Sequence, residues 1–203
     1  FNFSIAQYSG EYPLSTADIS FTGENAGDEA GYHASIIGDV NTDGFDDIMI
    51  TAPHFDENPV DDDPLNIIKE NGKIYLFFGK ADGWETTVSL SNADVSFLGD
   101  DRNDQASHDV YGVGDVNGDG IDDFAIGVKF INQTGLRAGK VYIFFGKASG
   151  WPVLTHLSSA DASFVGESES SEAAHVYPAG NINGDEYDDI IIGAGFYDEP
   201  ATD

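Results

Sequence analysis

The sequence contains no cysteine, which excludes a disulfide framework, thiolate metal ligation and a thiol nucleophile. Basic residues are also scarce: 8 Lys and Arg stand against 37 Asp and Glu, a formal net charge of −29 at pH 7. A field of that sign repels nucleic-acid backbones and anionic membrane surfaces, so neither is an expected partner. No apolar run approaches the roughly 18 residues of a membrane span. The opening Phe1-Asn2-Phe3-Ser4 lacks the basic start and apolar core of a signal peptide, so the chain reads as a mature protein or an excised piece. There is no His-Glu-x-x-His pair, no Gly-x-Ser-x-Gly elbow and no phosphate-cradling glycine loop. These absences point away from an enzyme. What remains is a chain of 203 residues, 40% hydrophobic and 12% aromatic, enough for a sizeable core.

The dominant positive feature is internal repetition. The segment Gly72-Lys73-Ile74-Tyr75-Leu76-Phe77-Phe78-Gly79 returns as Gly139-Lys140-Val141-Tyr142-Ile143-Phe144-Phe145-Gly146. Ala17-Asp18, Ala93-Asp94 and Ala160-Asp161 mark three copies, each preceded by a leucine at the same offset: Leu14, Leu90 and Leu157. Tyr8, Trp84 and Trp151 also keep step, which favours packing between repeats over sugar stacking as the role of the two tryptophans. The first copy is longer, through an insertion holding Pro59, Asp61-Asp62-Asp63 and Pro64, the composition of a surface loop. The expected division is residues 1–16 as a strand of a preceding or closing blade, then repeats at 17–92, 93–159 and 160–203, the last incomplete.

Within a repeat the apolar period is two, and the runs are short, β-branched or aromatic, and follow turns. Four strands per repeat are predicted, in the second copy around Val95–Leu98, Val110–Val116, Asp123–Val128 and Lys140–Phe145. Four-stranded units of this length, arranged in series, describe an all-β array of about three antiparallel propeller blades. Three blades fall short of the ~4–8 that close a ring. The array is therefore expected to be a fragment or part of a larger closed propeller, completed by further blades or by further copies of the chain.

Each copy also carries a nine-residue loop rich in oxygen donors. In the first, Asp39, Asn41, Asp43 and Asp47 stand at positions 1, 3, 5 and 9, with the Phe45 carbonyl at position 7. The second offers Asp115, Asn117, Asp119, the Ile121 carbonyl and Asp123; the third offers Asn181, Asn183, Asp185, the Tyr187 carbonyl and Asp189. Calcium is a hard cation that takes six to eight oxygens, and alternate positions of a tight loop supply them. An EF-hand is excluded, because its bidentate Glu at position 12 is replaced by Ile50, Ile126 and Ile192. Asp, Asn and Gly are also good turn formers, but three copies in register favour metal. Two strong sites and a weaker third are expected, since the third loop has Asn181 for the acid at position 1 and Glu186 for the turn glycine. Asp46, Asp122 and Asp188, at position 8, are expected to flank the last ligand or face solvent. Among the five histidines, His33 and His175 lie six residues before a loop start, which suggests a repeated structural role.

The run Gly114-Asp115-Val116-Asn117-Gly118-Asp119-Gly120-Ile121-Asp122-Asp123, followed by Gly139 to Gly146, resembles the FG-GAP repeat of integrin α-subunit propellers and their microbial relatives. The resemblance covers essentially the whole chain. It implies calcium in the hairpin loops of successive blades and a non-enzymatic, extracellular or cell-surface protein for adhesion, recognition or assembly, with a protein or glycan ligand. The Phe-Gly that names the family is replaced by Gly31-Tyr32, Ser107-His108 and Ala173-Ala174, which weakens any claim to integrin-like ligand recognition. Other readings are an accessory propeller beside a secreted hydrolase or lyase, and a self-assembling surface or filament protein.

Overall fold

The computed structural model describes residues 13–57, 70–100, 106, 109–131 and 137–195. Of the expected first strand, residues 1–12 with Tyr8 lie outside the described residues and Leu14–Thr16 form a 3-10 turn instead of strand; the insertion at Pro59 to Pro64 and His108 also lie outside the described residues.

Thirteen short strands are described: β1 (Ser20–Thr22), β2 (Ala34–Gly38), β3 (Asp47–Ala52), β4 (Lys73–Phe77), β5 (Thr87–Ser89), β6 (Val95–Leu98), β7 (Asp109–Gly114), β8 (Asp123–Val128), β9 (Lys140–Phe144), β10 (Leu154–His156), β11 (Ala162–Val165), β12 (Ala173–Gly180) and β13 (Asp189–Ala194). The period-two runs produce strands, and in the first blade both faces of such a strand are covered. Ile74 and Leu76 point one way while Tyr75 and Phe77 point the other, into separate clusters, and all four are buried.

The first blade is a sheet in the order β6-β4-β3-β2, antiparallel throughout, with β10 added in parallel outside β6. The second runs β11-β9-β8-β7, also antiparallel. The third shows the hairpin β12-β13, and β1 pairs in parallel with β5. The four strands read from the second copy therefore do not form one sheet. β6 pairs with β4 of the preceding copy, so each repeat opens by completing the blade before it. The Ala-Asp markers explain how: Asp94 accepts the Phe78 N–H at 2.9 Å and Asp161 accepts the Phe145 N–H at 2.8 Å, each tying the entry to an outer strand to the end of the third strand.

Blades pack through aromatic rings. Phe97 of the first blade lies 5.5 Å from Phe124 and 4.9 Å from Phe144 of the second, in edge-on geometry. Trp151 stacks 6.0 Å from Phe124 and reaches Phe78, and its indole N–H donates to the Lys147 carbonyl at 2.8 Å. Trp151 thus packs where the repeat predicts. Phe164, the equivalent of Phe97 in the next copy, is 50% exposed and lines an apolar groove of about 500 Å³ against Ile190 and Ile192.

The same repeat position thereby has two environments, with a measurable consequence in this 203-residue chain. Phe97→Ala should cost about 3–5 kcal/mol of unfolding free energy, and Phe164→Ala under half of that, in urea denaturation followed by tryptophan fluorescence.

Candidate metal centre

Every loop joins the first two strands of a blade: β2 to β3, β7 to β8 and β12 to β13. Each hairpin carries a register shift just before its loop, at Gly38, Gly114 and Gly180, all with positive φ. The shift turns the chain out of the ladder so that the next residue, at position 1, starts the loop rather than continuing the strand.

The first two loops are built alike. Asp39 accepts the N–H groups of Asp43 and Gly44 at 3.0 and 2.8 Å, and Asp115 accepts those of Gly118, Asp119 and Gly120 at 2.7, 3.1 and 2.7 Å. The Asn41 and Asn117 carbonyls take the N–H two residues on, as do the carboxylates of Asp43 and Asp119. These side chain to backbone turns draw the donors of positions 1, 3 and 5 over the loop's own amides. Gly44 and Gly120, at position 6, have φ of 91° and 85°.

Position 9 differs in kind. Asp47 and Asp123 are fully buried at the start of β3 and β8. Asp47 accepts the Val40 N–H at 3.0 Å and the Gly79 N–H at 2.7 Å; Asp123 accepts those of Val116 and Gly146 at 3.0 and 2.8 Å. Burial pushes the Asp47 carboxyl up to about 7 and the Asp123 carboxyl up to about 6, with Asp43 and Asp39, or Asp119 and Asp115, adding repulsion. The amide hydrogen bonds pull the other way but only in part.

The third loop keeps the turns of positions 3 and 5, Asn183 to Asp185 and Asp185 to Tyr187, each at 2.8 Å. Asn181 accepts the Gly184 N–H at 2.6 Å, and its amide nitrogen also donates to the Asp185 carbonyl. Glu186 is absent from the residues with positive φ, so the turn at position 6 differs from the other two. Asp189 is only half-buried.

Among the described residues no three Asp, Glu or His side chains converge into a metal-holding cluster. The donor chemistry nonetheless fits a hard cation, because each loop offers only oxygens, a share of them from Asn amides and a backbone carbonyl. Asp39, Asn41, Asp43, Phe45 and Asp47 would hold the first ion, and the equivalent residues the others.

Two of the three position-8 residues reach a partner on the preceding loop that their own hairpin does not reveal. Asp122 is half-buried and accepts the Asp39 N–H of the preceding loop at 3.0 Å, and Asp188 does the same to Asp115 at 3.0 Å. A Cβ on Gly38 would lie 2.3 Å from the Asp122 carboxylate, and on Gly114, 2.1 Å from that of Asp188, so those glycines leave room for the link. Asp46 is exposed, as expected. The partners are 83 and 73 residues apart in sequence, beyond reach of a local reading. His33 and His175 diverge: His175 pairs with Asp109 at 2.8 Å, whereas His33 packs edge-on against Tyr111 at 5.0 Å.

Repeated blades with acidic hairpin loops define a propeller-type repeat protein. The chain carries repeats of the FG-GAP family, whose model, FG-GAP repeat, matches residues 30–77 and 112–144. It is similar to integrin alpha-8 of Homo sapiens, 30% identical over 86% of this chain and 15% of the relative. It is likewise similar to integrin alpha-5 of Xenopus laevis, 30% identical over 86% and 15%, and to integrin alpha-PS2 of Drosophila melanogaster, 28% identical over 87% and 12%. The chain thus spans about 15% of the length of such relatives.

Gly120→Ala should destabilise the chelator-treated protein by about 1–2 kcal/mol, the cost of forcing a Cβ into the left-handed region. Glu186→Gly should cost little in the third loop, where φ is not positive. Chemical denaturation in EDTA measures both.

Proposed function

We propose that the chain is a calcium-stabilised, non-enzymatic segment of an extracellular β-propeller that serves adhesion or recognition. The observation that carries this reading is the recurrence of one loop, with the same hydrogen-bond pattern at positions 3 and 5, at the same hairpin of successive blades. Likeness to integrin alpha subunits supports the adhesive role, and a net charge of −29 suits an environment where divalent cations are plentiful. No helix among the described residues is long and apolar enough to cross a membrane.

Calcium would act here on folding. In each of the first two loops the carboxylates at positions 1 and 5 repel the buried one at position 9, and a dication would offset that repulsion and the desolvation of the buried group. Because the donors are assembled only when the hairpin is formed, binding free energy adds to folding free energy. Blades fixed in this way present a rigid surface to a protein or glycan ligand.

Millimolar calcium should raise the melting temperature, and EDTA should reverse the rise. A hundredfold excess over Kd adds about 2.7 kcal/mol per loop. Asp43→Ala and Asp119→Ala should each remove one tight site in isothermal titration calorimetry, while Asp185→Ala removes a weaker one. A melting temperature indifferent to both calcium and EDTA would sink the reading.

A further inference from the structure

Two hydrogen-bonded routes join the second loop to the first. In one, Asp122 accepts the N–H of Asp39, the position-1 residue of the first loop, at 3.0 Å. Asp122 is bonded in sequence to Asp123, the position-9 donor of its own loop. In the other, Asp123 accepts the Gly146 N–H at 2.8 Å, and the next residue, Lys147, donates its N–H to the Val40 carbonyl at 2.8 Å. Val40 in turn donates its N–H to Asp47, position 9 of the first loop, at 3.0 Å. The third loop reaches the second in the same manner: Asp188 accepts the Asp115 N–H at 3.0 Å and donates its own N–H to the Asp115 carbonyl at 2.9 Å.

We propose that calcium binding to successive loops is positively coupled, with Asp122 and Asp188 as the positioning residues that carry the coupling from one blade to the preceding one. The proposal rests on the calcium reading above. An ion that fixes the Asp123 carboxylate also fixes the backbone of Asp122, whose own carboxylate then holds the amide of Asp39 in place. The first loop accordingly loses less freedom when it binds its ion, and linkage makes the effect reciprocal. Direct repulsion between the two ions opposes this coupling and is screened by water and salt at the exposed loop ends, so a net positive coupling means that the ordering gain exceeds it. Asp46 supplies an internal control. It occupies the same position, is exposed, and makes no such link among the described residues.

The test is calcium titration of the 203-residue chain, followed by the amide NMR signals of Gly44 and Gly120, which report the first and second loops separately. Disabling the second loop with Asp119→Ala should weaken binding at Gly44 about fivefold or more, the lower range of measured couplings. Asp122→Ala should reduce that dependence to the part carried through Gly146, Lys147 and Val40, and Asp46→Ala should leave it intact. If Asp122→Ala fails to fold in EDTA by circular dichroism, Asp122→Asn replaces it, with a partial loss of coupling expected. Unchanged affinity at Gly44 after Asp119→Ala would overturn the proposal. So would equal effects of Asp46→Ala and Asp122→Ala, which would show a local charge effect. No binding at any loop would overturn the calcium reading itself, and the coupling with it.

Discussion

The buried carboxylate that ends each of the first two loops is the constraint on which the blade depends. Asp47 and Asp123 each take one N–H from their own loop and one from the turn after the third strand, and so clamp three strands at one edge of the sheet. The clamp works only while the carboxylate accepts both bonds, yet burial disfavours its charge and raises its pKa. Fold and candidate site therefore share one group. A cation supplied to the loop would stabilise the same charge that the strands need, which is why metal binding and blade stability are expected to move together.

Blade packing sets the distance over which the loops can communicate. The Phe97, Phe124 and Phe144 rings hold the first two sheets in contact, and glycines allow the backbones at the loop end to approach closely. A Cβ at Gly146 would lie 2.3 Å from the Asp122 carbonyl and 3.1 Å from that of Val40. A larger residue would separate the turn after the third strand from both loops. The Phe-Phe-Gly that closes the third strand of each of the first two blades thus combines two requirements, aromatic bulk within the interface and no bulk at its rim.

What could be read in the sequence was what is local. Strand positions followed from period-two runs, and loop donors from a nine-residue spacing; both rest on residues within one turn or one hairpin. The blade boundary did not, because β6 pairs with β4 across a junction where nothing in the local pattern says which sheet an outer strand joins. Strand alternation turns Asp122 and Asp188 away from their own loop. Beyond the last ligand, that direction leads onto the preceding blade, where each accepts the N–H of a position-1 residue. The signal that could have found them is the glycine before each loop, since Gly38 and Gly114 leave space that their own hairpins do not fill. The divergence of His33 from His175 was illegible for a similar reason: the middle copy has Asp109 at that place, so a residue seen as a repeated pair is one half of a contact with the copy between.

The third loop differs from the first two in more than its count of carboxylates. In the first two loops, the Asp at position 1 adds a third negative charge, and the loop's amides only partly offset it. In the third, Asn181 presents one oxygen to the Gly184 N–H and uses its amide nitrogen to satisfy the Asp185 carbonyl. Asn183 similarly donates to both Asp185 and Asp189. Asp189, half-buried, also lacks the severe desolvation of Asp47 and Asp123. With Asn181 at position 1 and Glu186 at position 6, the polar groups of this loop answer each other. On the calcium reading, a hairpin whose polar groups already pair with each other has less to gain from an ion, so the stabilisation by calcium should be smaller at the third loop than at the first two.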